Sequence, residues 1–377
     1  MQKKLIAVAV AGALAAPAAV LAQSTVQLYG AMYMEYGFLK QGPTAAGAND
    51  PANPEVFQSP GSAVGFKGEE KLGGGMSAWF QCETTADIRG INNTGFCSRN
   101  SAVGLKGSFG NFFVGNWDTP FKRSRVGNVG SNDTGAFGNG HLLYGGSTST
   151  TDGASAGIHS RRQRNSINYE TPKFGAFQGM FSMSSTNAST GLAATAANAK
   201  ERTMSVAGVY KAGPLVIGVG YNQNKKAYNT ATVAGGGESA WHISAAYQLG
   251  KVKLGGAYTK SDADTAVAAN SNVSAWHLGA EWNVAGPHNL HFGYTQIGDM
   301  KGTAGAAMGE RPVVATDSGA KLWQVKYVHQ LSKRTFAGVG YTHLKNDRNA
   351  AYNLGGLDLD RAGSKNSGIV FNIGHKF

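Results

Sequence analysis

The chain has 377 residues and a formal net charge of +12, yet only 15% of its residues are charged and 54 are glycine. Beyond the N-terminal stretch it has no apolar run of about 18 residues, which excludes an α-helical membrane protein, and its glycines lack the collagen period. Its basic residues are spread along the chain rather than clustered with aromatic residues, which argues against a nucleic-acid partner.

Residues 1–22 have the three parts of a secretory signal peptide. Lys3 and Lys4 give a positive start, an apolar segment follows, and small residues precede a predicted cut after Ala22. The alternative is a short membrane anchor, but the apolar segment is brief and is interrupted by glycine and proline. No proline-rich or charged linker divides the remainder, so we predict one exported domain, residues 23–377.

Beyond the signal peptide, apolar and polar residues alternate in many short segments. The first is VQLYGAMYMEYGF (26–38), and two later ones are SAWHISAAYQL (239–249) and SAWHLGAEWNV (274–284). Each puts aromatic or aliphatic side chains at every second position, with smaller or polar residues between them. A period of two is typical of β-strands with one apolar face.

Two kinds of connection alternate along the chain. Seven are short and tight, such as KLGGG (71–75) and KAGP (211–214). Eight are long and rich in Gly, Asn, Thr and Asp: 39–60, 89–98, 118–161, 187–201, 224–238, 260–273, 299–319 and 346–366. This alternation indicates sixteen strands in an up-and-down meander, with turns on one rim and loops on the other, as in outer-membrane barrels.

The predicted fold class is all-β, a 16-stranded antiparallel transmembrane β-barrel. Sixteen strands enclose a lumen too wide for side chains to fill, so an apolar face turned inward would line a water-filled channel. The apolar face must therefore point outward to lipid, and closure leaves no unpaired strand edge. The alternative is a large soluble β-sandwich or propeller. In the barrel, aromatic residues near strand ends are expected to form interfacial girdles: Trp241, Tyr247, Trp276 and Trp282.

Several segments resemble the Gram-negative general porins, especially those of β-proteobacteria: STVQLYGAMY, SAVGFKGEEKLGGGMSAWFQCE, RNSAVGLKGSFGNFFVGNWDTP, RQRNSINYETPKFGAF, LSKRTFAGVGYTH and NIGHKF. The resemblance implies a homotrimer in the outer membrane, among lipid and lipopolysaccharide, with the third long loop folded inward as a constriction. The terminal Phe377 resembles the assembly signal of such barrels. Ala63 and Asn116 stand where the family often has arginine, and Tyr33 where it often has aspartate, so the family's arginine ladder is not carried over.

The connection 118–161 is the main candidate for function, because loops this long are uncommon unless they are functional. It contains Asp118 and Asp133. A compact fold against the barrel wall is expected for its FGNGHLLYGG segment, residues 137–146. The alternative is an external loop without fixed structure.

Strand parity assigns charged side chains to the lumen. With Val64 and Phe66 outward, the side chains of neighbouring positions point inward, and the same rule applies to the strands around residues 103–106 and 162–170. The predicted pore-lining residues on the wall are Lys67, Glu69, Lys106, Arg162 and Arg164, and those on the loop are Asp118 and Asp133. Rings of charged side chains select ions by sign. The alternative for each residue is that its charged side chain is only hydrated on a water-facing wall and does not select ions.

Cys82 and Cys97 are the only cysteines, and they flank one predicted hairpin loop. An exported protein meets an oxidising compartment, where disulfides form and persist. We predict a bridge that closes the second long loop. Two unpaired thiols are the alternative.

Signals for catalysis are poor. No H-E-x-x-H motif occurs, His242 and His277 are interpreted as polar lumen residues, and the glycine-rich turns precede no helix. We therefore expect no catalytic residues, no cofactor and no metal. The predicted function is a passive outer-membrane channel for small hydrophilic solutes and ions, with a preference for anions. The alternatives are a substrate-specific channel and a surface adhesin or receptor that acts through its long loops.

Overall fold

The structure is a computed structural model of the chain. It describes residues 25–42, 53–90, 95–145, 159–184, 202–225, 237–264, 271–302, 316–354 and 362–377. The predicted signal peptide, residues 1–22, lies outside them, as do all of the predicted loop 187–201 and most of the predicted loop 224–238.

This part of the chain contains seventeen β-strands and two short helices. The strands are β1 (Thr25–Gln41), β2 (Glu55–Gln58), β3 (Ala63–Gly73), β4 (Met76–Thr85), β5 (Ser101–Gly107), β6 (Gly110–Asp118), β7 (Arg162–Glu170), β8 (Phe177–Ser184), β9 (Arg202–Ala212), β10 (Leu215–Lys225), β11 (Gly237–Leu249), β12 (Val252–Asp264), β13 (Ser271–Ala285), β14 (His288–Ile297), β15 (Ala320–Gln330), β16 (Thr335–Asn346) and β17 (Lys365–Lys376). The helices are α1 (Pro120–Arg123) and α2 (Gly140–Tyr144). Neither helix is long and apolar enough to cross a membrane.

Sixteen of the strands close into one antiparallel barrel. β1 pairs with β3, each strand from β3 to β17 pairs with the next, and β17 pairs back with β1 from Ala31 to Gln41. The short β2 pairs with Glu35–Phe38, a part of β1 that β3 does not reach. The predicted sixteen-stranded meander is confirmed, and β2 is an addition within the first long connection.

The apolar face of the barrel points outward. On β11, Trp241 and Ile243 are 40% and 48% exposed, whereas His242 between them is fully buried. The predicted girdle residues Tyr247, Trp276 and Trp282 are exposed in the same way. An exterior band of aromatic and aliphatic side chains is stable only when its solvent is lipid, so the exposure pattern supports a membrane-embedded barrel.

Two apolar clusters lie inside the barrel rather than outside it. Both combine residues of the β6–β7 connection with inward-facing residues of the strands. The larger one includes Phe121, Leu142, Leu143, Tyr144, Ala275, Ile297, Leu322 and Leu344, and the smaller one contains Leu39, Ala136, Phe137 and Val370. Burying a large apolar side chain stabilises by about 1.5–3 kcal/mol, so these clusters hold the connection on the inner wall.

Candidate functional site

The third long connection, here called loop 3 (residues 119–161, described at 119–145 and 159–161), leaves the wall through a capped helix. Thr119 caps α1 by accepting a hydrogen bond from the Lys122 backbone N–H at 3.3 Å, and Pro120 occupies the first helical turn. Proline is favoured there because its fixed φ suits the helix and it needs no N–H partner. The sequence DTPFKR therefore turns the chain off β6, and Phe121 becomes fully buried.

Two histidines of the wall bind the middle of loop 3. His242 Nε2 on β11 lies 3.0 Å from the Phe121 carbonyl oxygen, and His277 Nε2 on β13 lies 2.8 Å from that of Val129. A carbonyl oxygen only accepts, so each Nε2 carries the proton and donates. Both side chains have the inward parity predicted for them, but loop 3 covers them and they do not line open water.

Glycines let loop 3 approach the strands closely. A Cβ atom added at Gly279 would sit 1.8 Å from the Val129 carbonyl oxygen, and one at Gly218 would sit 1.9 Å from that of Ser124. Such distances are impossible for non-bonded atoms, so only glycine fits at these inward positions. Part of the high glycine content is thus explained by backbone-to-backbone contact inside the lumen.

The far end of loop 3 is bound to β1 and β15. Glu35 Oε2 accepts a hydrogen bond from the Ala136 backbone N–H at 2.7 Å. Lys326 Nζ lies 3.5 Å from Asn132 Oδ1 and 5.3 Å from the centroid of the Phe137 ring. Glu35 and Lys326 are both buried. Lys326 therefore stabilises loop 3 and does not face the open lumen.

Asp118 and Arg162, predicted to line the pore, lie next to each other. Asp118 accepts hydrogen bonds from Lys122 Nζ at 2.9 Å and Asn100 Nδ2 at 3.1 Å, and its Oδ1 lies 3.6 Å from Arg162 Nε. Arg162 Nε also donates to Asn100 Oδ1 at 2.8 Å. These charges form one compact network where loop 3 leaves the wall.

A bulge interrupts the alternation of β7. The register shifts opposite Gly115 and Trp117, and Asn165 has a φ of 47°, in the left-handed region. A bulge places two residues opposite one, so the side-chain alternation beyond it is displaced by one position. The parity argument for Arg162 and Arg164 therefore fails at this point, although it holds for Asn168, which is buried on the inner face.

Asp133 is paired within loop 3. Its carboxylate accepts two hydrogen bonds from the Arg125 guanidinium, at 2.9 and 2.5 Å. Arg125 also stacks over the Tyr144 ring, 4.6 Å from its centroid. Burial opposes the charge of Arg125, but the neighbouring Asp133 carboxylate outweighs it and keeps the Arg125 pKa above its ordinary value. Burial raises the pKa of Tyr144, so its hydroxyl stays protonated.

Lys67, Glu69 and Lys106, which strand parity assigns to the inner face, line one pocket. Lys106 Nζ contacts Glu69 Oε2 at 2.5 Å, and Lys71 Nζ contacts Glu69 Oε1 at 2.8 Å. Lys67 is exposed, and its Nζ lies 5.2 Å from the centroid of the Tyr29 ring. These strands carry no loop 3 anchor among the contacts described above, so their charged groups remain open to the lumen.

Sequence reasoning missed Arg123. It lies in α1, its side chain is 29% exposed, and it forms an ion pair with Glu170 at the end of β7. Parity cannot place a loop residue. The only signal was the basic run FKRSR at the start of loop 3.

The predicted disulfide is present. Cys82 on β4 is bonded to Cys97, with 4.8 Å between their Cα atoms. The next residues tie this segment to the wall and to the charged network: Arg99 Nε donates to Glu83 Oε1 at 2.6 Å, and Asn100 binds Asp118. The bridge therefore supports the position of Asn100.

We expect both cysteines to resist alkylation in the folded protein, because both thiols are consumed by the bridge. Iodoacetamide labelling followed by mass measurement should add nothing without reductant and two labels after reduction and denaturation. In the chain-entropy model, a disulfide that closes a loop of this size stabilises the folded protein by on the order of 3 kcal/mol. Two labels on folded, unreduced protein would contradict the pairing.

The C-terminus closes the barrel at Phe377. Its backbone N–H donates to the Gly30 carbonyl oxygen at 3.0 Å, and its own carbonyl oxygen accepts from the Gly30 N–H at 3.1 Å. The ring is 41% exposed. Its role as an assembly signal stays a prediction.

Comparisons with known proteins agree with this geometry. The family model "Gram-negative porin" matches residues 7–349. Outer membrane porin protein 32 of Delftia acidovorans is 28% identical over the full length of both chains. Major outer membrane protein P.IB of Neisseria gonorrhoeae is 37% identical over 120 residues, and that match spans 32% of this chain and 31% of the Neisseria protein.

Solved structures show the same fold. The anion-selective porin from Comamonas acidovorans superposes with a TM-score of 0.71 at 25% identity, covering 94% of this chain and 100% of that one. OmpT of Vibrio cholerae, in its trimer form, superposes with a TM-score of 0.63 at 17% identity over 94% of this chain and 99% of that one. With the family model matching most of the chain, the protein belongs to the Gram-negative porins, a family of outer-membrane β-barrels.

Proposed function

We propose that the chain forms a passive, water-filled channel for small hydrophilic solutes and ions across the outer membrane. The observation that carries this proposal is the position of loop 3. Its anchors on β11, β13, β15 and β1 hold it against one side of the inner wall, and the wall of β3 to β5 carries exposed charged groups instead. The passage between these two surfaces is the proposed constriction.

Within that channel we propose a preference for anions. Around Glu69 there are three lysines, Lys67, Lys71 and Lys106, and Arg123 adds a partly exposed guanidinium from loop 3. The similar Comamonas acidovorans protein is described as anion-selective, which supports the same sign. Arg162, Arg164, Asp118 and Asp133 are proposed to shape the field near the base of loop 3 rather than to face the solute as free charges.

The mature protein is proposed to begin after Ala22 and to be one domain that assembles as a homotrimer among lipid and lipopolysaccharide. Trimerisation is supported by the trimer form described for the similar Vibrio cholerae barrel. No catalytic role is proposed, since the relatives are porins. Specificity for one solute class is the alternative within transport, and it is supported by a pocket lined by Lys67, Trp79 and Lys106.

Planar-bilayer recording of the refolded protein tests the channel and its assembly together. We expect an ohmic current that appears in single insertion events and closes in three equal steps at high voltage, because each subunit of a trimer carries its own pore. A folded barrel without current contradicts the channel. A folded barrel that conducts in single steps contradicts the trimer alone.

A further inference from the structure

A pocket opens on the inner wall away from the loop 3 anchors. Its volume is about 300 Å³, and Gly68 and Phe80 line it together with six residues of inward parity on β1, β3, β4 and β5: Gln27, Lys67, Glu69, Trp79, Gln81 and Lys106. An ion such as chloride needs only a small part of that volume. The size and the mixed lining indicate a site for an organic solute.

Trp79 gives the pocket a fixed, flat apolar surface. Gly104 on the adjacent β5 makes room for it, because a Cβ atom there would sit 2.7 Å from the indole Nε1. The Nε1–H group donates to Asn111 Oδ1 at 2.8 Å, and the Phe113 and Trp117 rings pack against the indole at centroid distances of 5.3 and 5.6 Å. The indole is therefore held in place before any ligand arrives, and its hydrogen-bonding group is already satisfied.

The pocket carries an excess of positive charge. Glu69 is the single carboxylate of its lining, and it is shared between Lys106 and Lys71 at 2.5 and 2.8 Å. Lys67 is exposed, and within the described part of the chain it takes part in no ion pair. An anion that enters here meets one ammonium group without a carboxylate partner and a second whose partner is shared.

If the protein is the channel proposed above, this pocket indicates which class of solute it binds, and the following inference rests on that proposed function. We propose that the pocket binds small aromatic carboxylates, with the carboxylate between Lys67 and Lys106 and the ring against Trp79. An anion without an apolar body would leave the indole in contact with water. A neutral sugar would gain hydrogen bonds but no charge neutralisation from the two ammonium groups, and the Gln81 amide already donates to the Asn100 carbonyl oxygen at 2.9 Å.

Benzoate is the probe for this site. In a bilayer with about 0.1 M KCl, benzoate should reduce the chloride current in a saturable way, while acetate and benzyl alcohol at equal concentration should not. Trp79→Leu should keep the chloride current and raise the half-blocking benzoate concentration about two- to tenfold, the range expected for one lost aromatic contact. Lys67→Gln should raise it as well. Trp276→Leu, on the outer surface, is the matched control and should behave like the parent protein.

Other outcomes overturn the site. Equal block by acetate means that charge alone binds the anion, equal block by benzyl alcohol means that the carboxylate is irrelevant, and stronger block by glucose means a sugar site. Equilibrium dialysis of benzoate against the detergent-solubilised protein tests the site without any current. Dialysis that detects no Trp79-dependent binding overturns it, whereas binding by a folded barrel that passes no chloride contradicts only the channel.

Discussion

Gly279→Ala should enlarge the channel by lifting loop 3 off the wall. The added Cβ atom would sit 1.8 Å from the Val129 carbonyl oxygen, which is also the acceptor of the His277 hydrogen bond. Overpacking costs about 1–3 kcal/mol, whereas the hydrogen bond from His277 to loop 3 contributes about 1 kcal/mol. We therefore expect loop 3 to move away from the wall while strand β13 keeps its position. We expect a higher single-channel conductance and more current noise in bilayer recordings.

Gly256→Ala is the matched control for this change. Gly256 is on the neighbouring strand β12, and its Cβ would point at the Leu278 side chain, which is exposed on the outer face. The control should conduct like the parent protein. Retention of the compact, unboiled form in SDS gels shows that both variants fold. Unchanged conductance of a folded Gly279→Ala barrel would mean that loop 3 does not limit the current.

Neutralising Lys67 and Lys106 together should remove most of the anion preference. At about 8 Å in a water-like dielectric, one lysine charge stabilises a passing anion and destabilises a passing cation by roughly 0.5 kcal/mol each. Losing one charge therefore lowers the anion-to-cation permeability ratio by about fivefold before screening. The measurement is the reversal potential in a KCl gradient. We expect the Lys67→Gln/Lys106→Gln variant to move towards zero or to the cation-selective sign.

Salt provides an internal check on that prediction. The Debye length is about 10 Å at 0.1 M and about 3 Å at 1 M, so the difference between parent and variant should shrink as KCl rises. Lys321→Gln, an exposed residue on β15 that the outward parity of Trp323 places on the outer face, serves as the control and should leave the reversal potential unchanged. A cation-selective parent protein at low salt would mean that the lumen field has the opposite sign.

The barrel, and which face of each strand points to lipid, were predictable from the sequence because each strand carries that information locally. Lipid outside and water inside impose a period of two on every strand, and the outward residues Trp241 and Ile243 alternate with inward His242 as expected. Turn and loop lengths then fix the up-and-down order. The same local rule assigns Lys67, Glu69 and Lys106 to one face, and the three residues line one pocket.

Several features of the site depend on contacts between distant parts of the chain. The hydrogen bond from Ala136 to Glu35 joins residues 101 positions apart, and no local period encodes it. The path of loop 3 decides that Lys326 is buried and that His242 and His277 serve as anchors. The alternation is also lost at a bulge, which is why the placement of Arg162 and Arg164 did not follow from parity.

What the sequence by itself determined is the barrel, the side that faces lipid, the position of its connections and the wall charges on unbroken strands. Only the tertiary structure decided which of those charges stay open to the lumen, where loop 3 runs, and that Trp79 lies in a pocket with Lys67 and Lys106. The physical reason is that alternation is a property of one strand, whereas a constriction and a pocket are formed by curvature and by side chains of several strands meeting across the lumen.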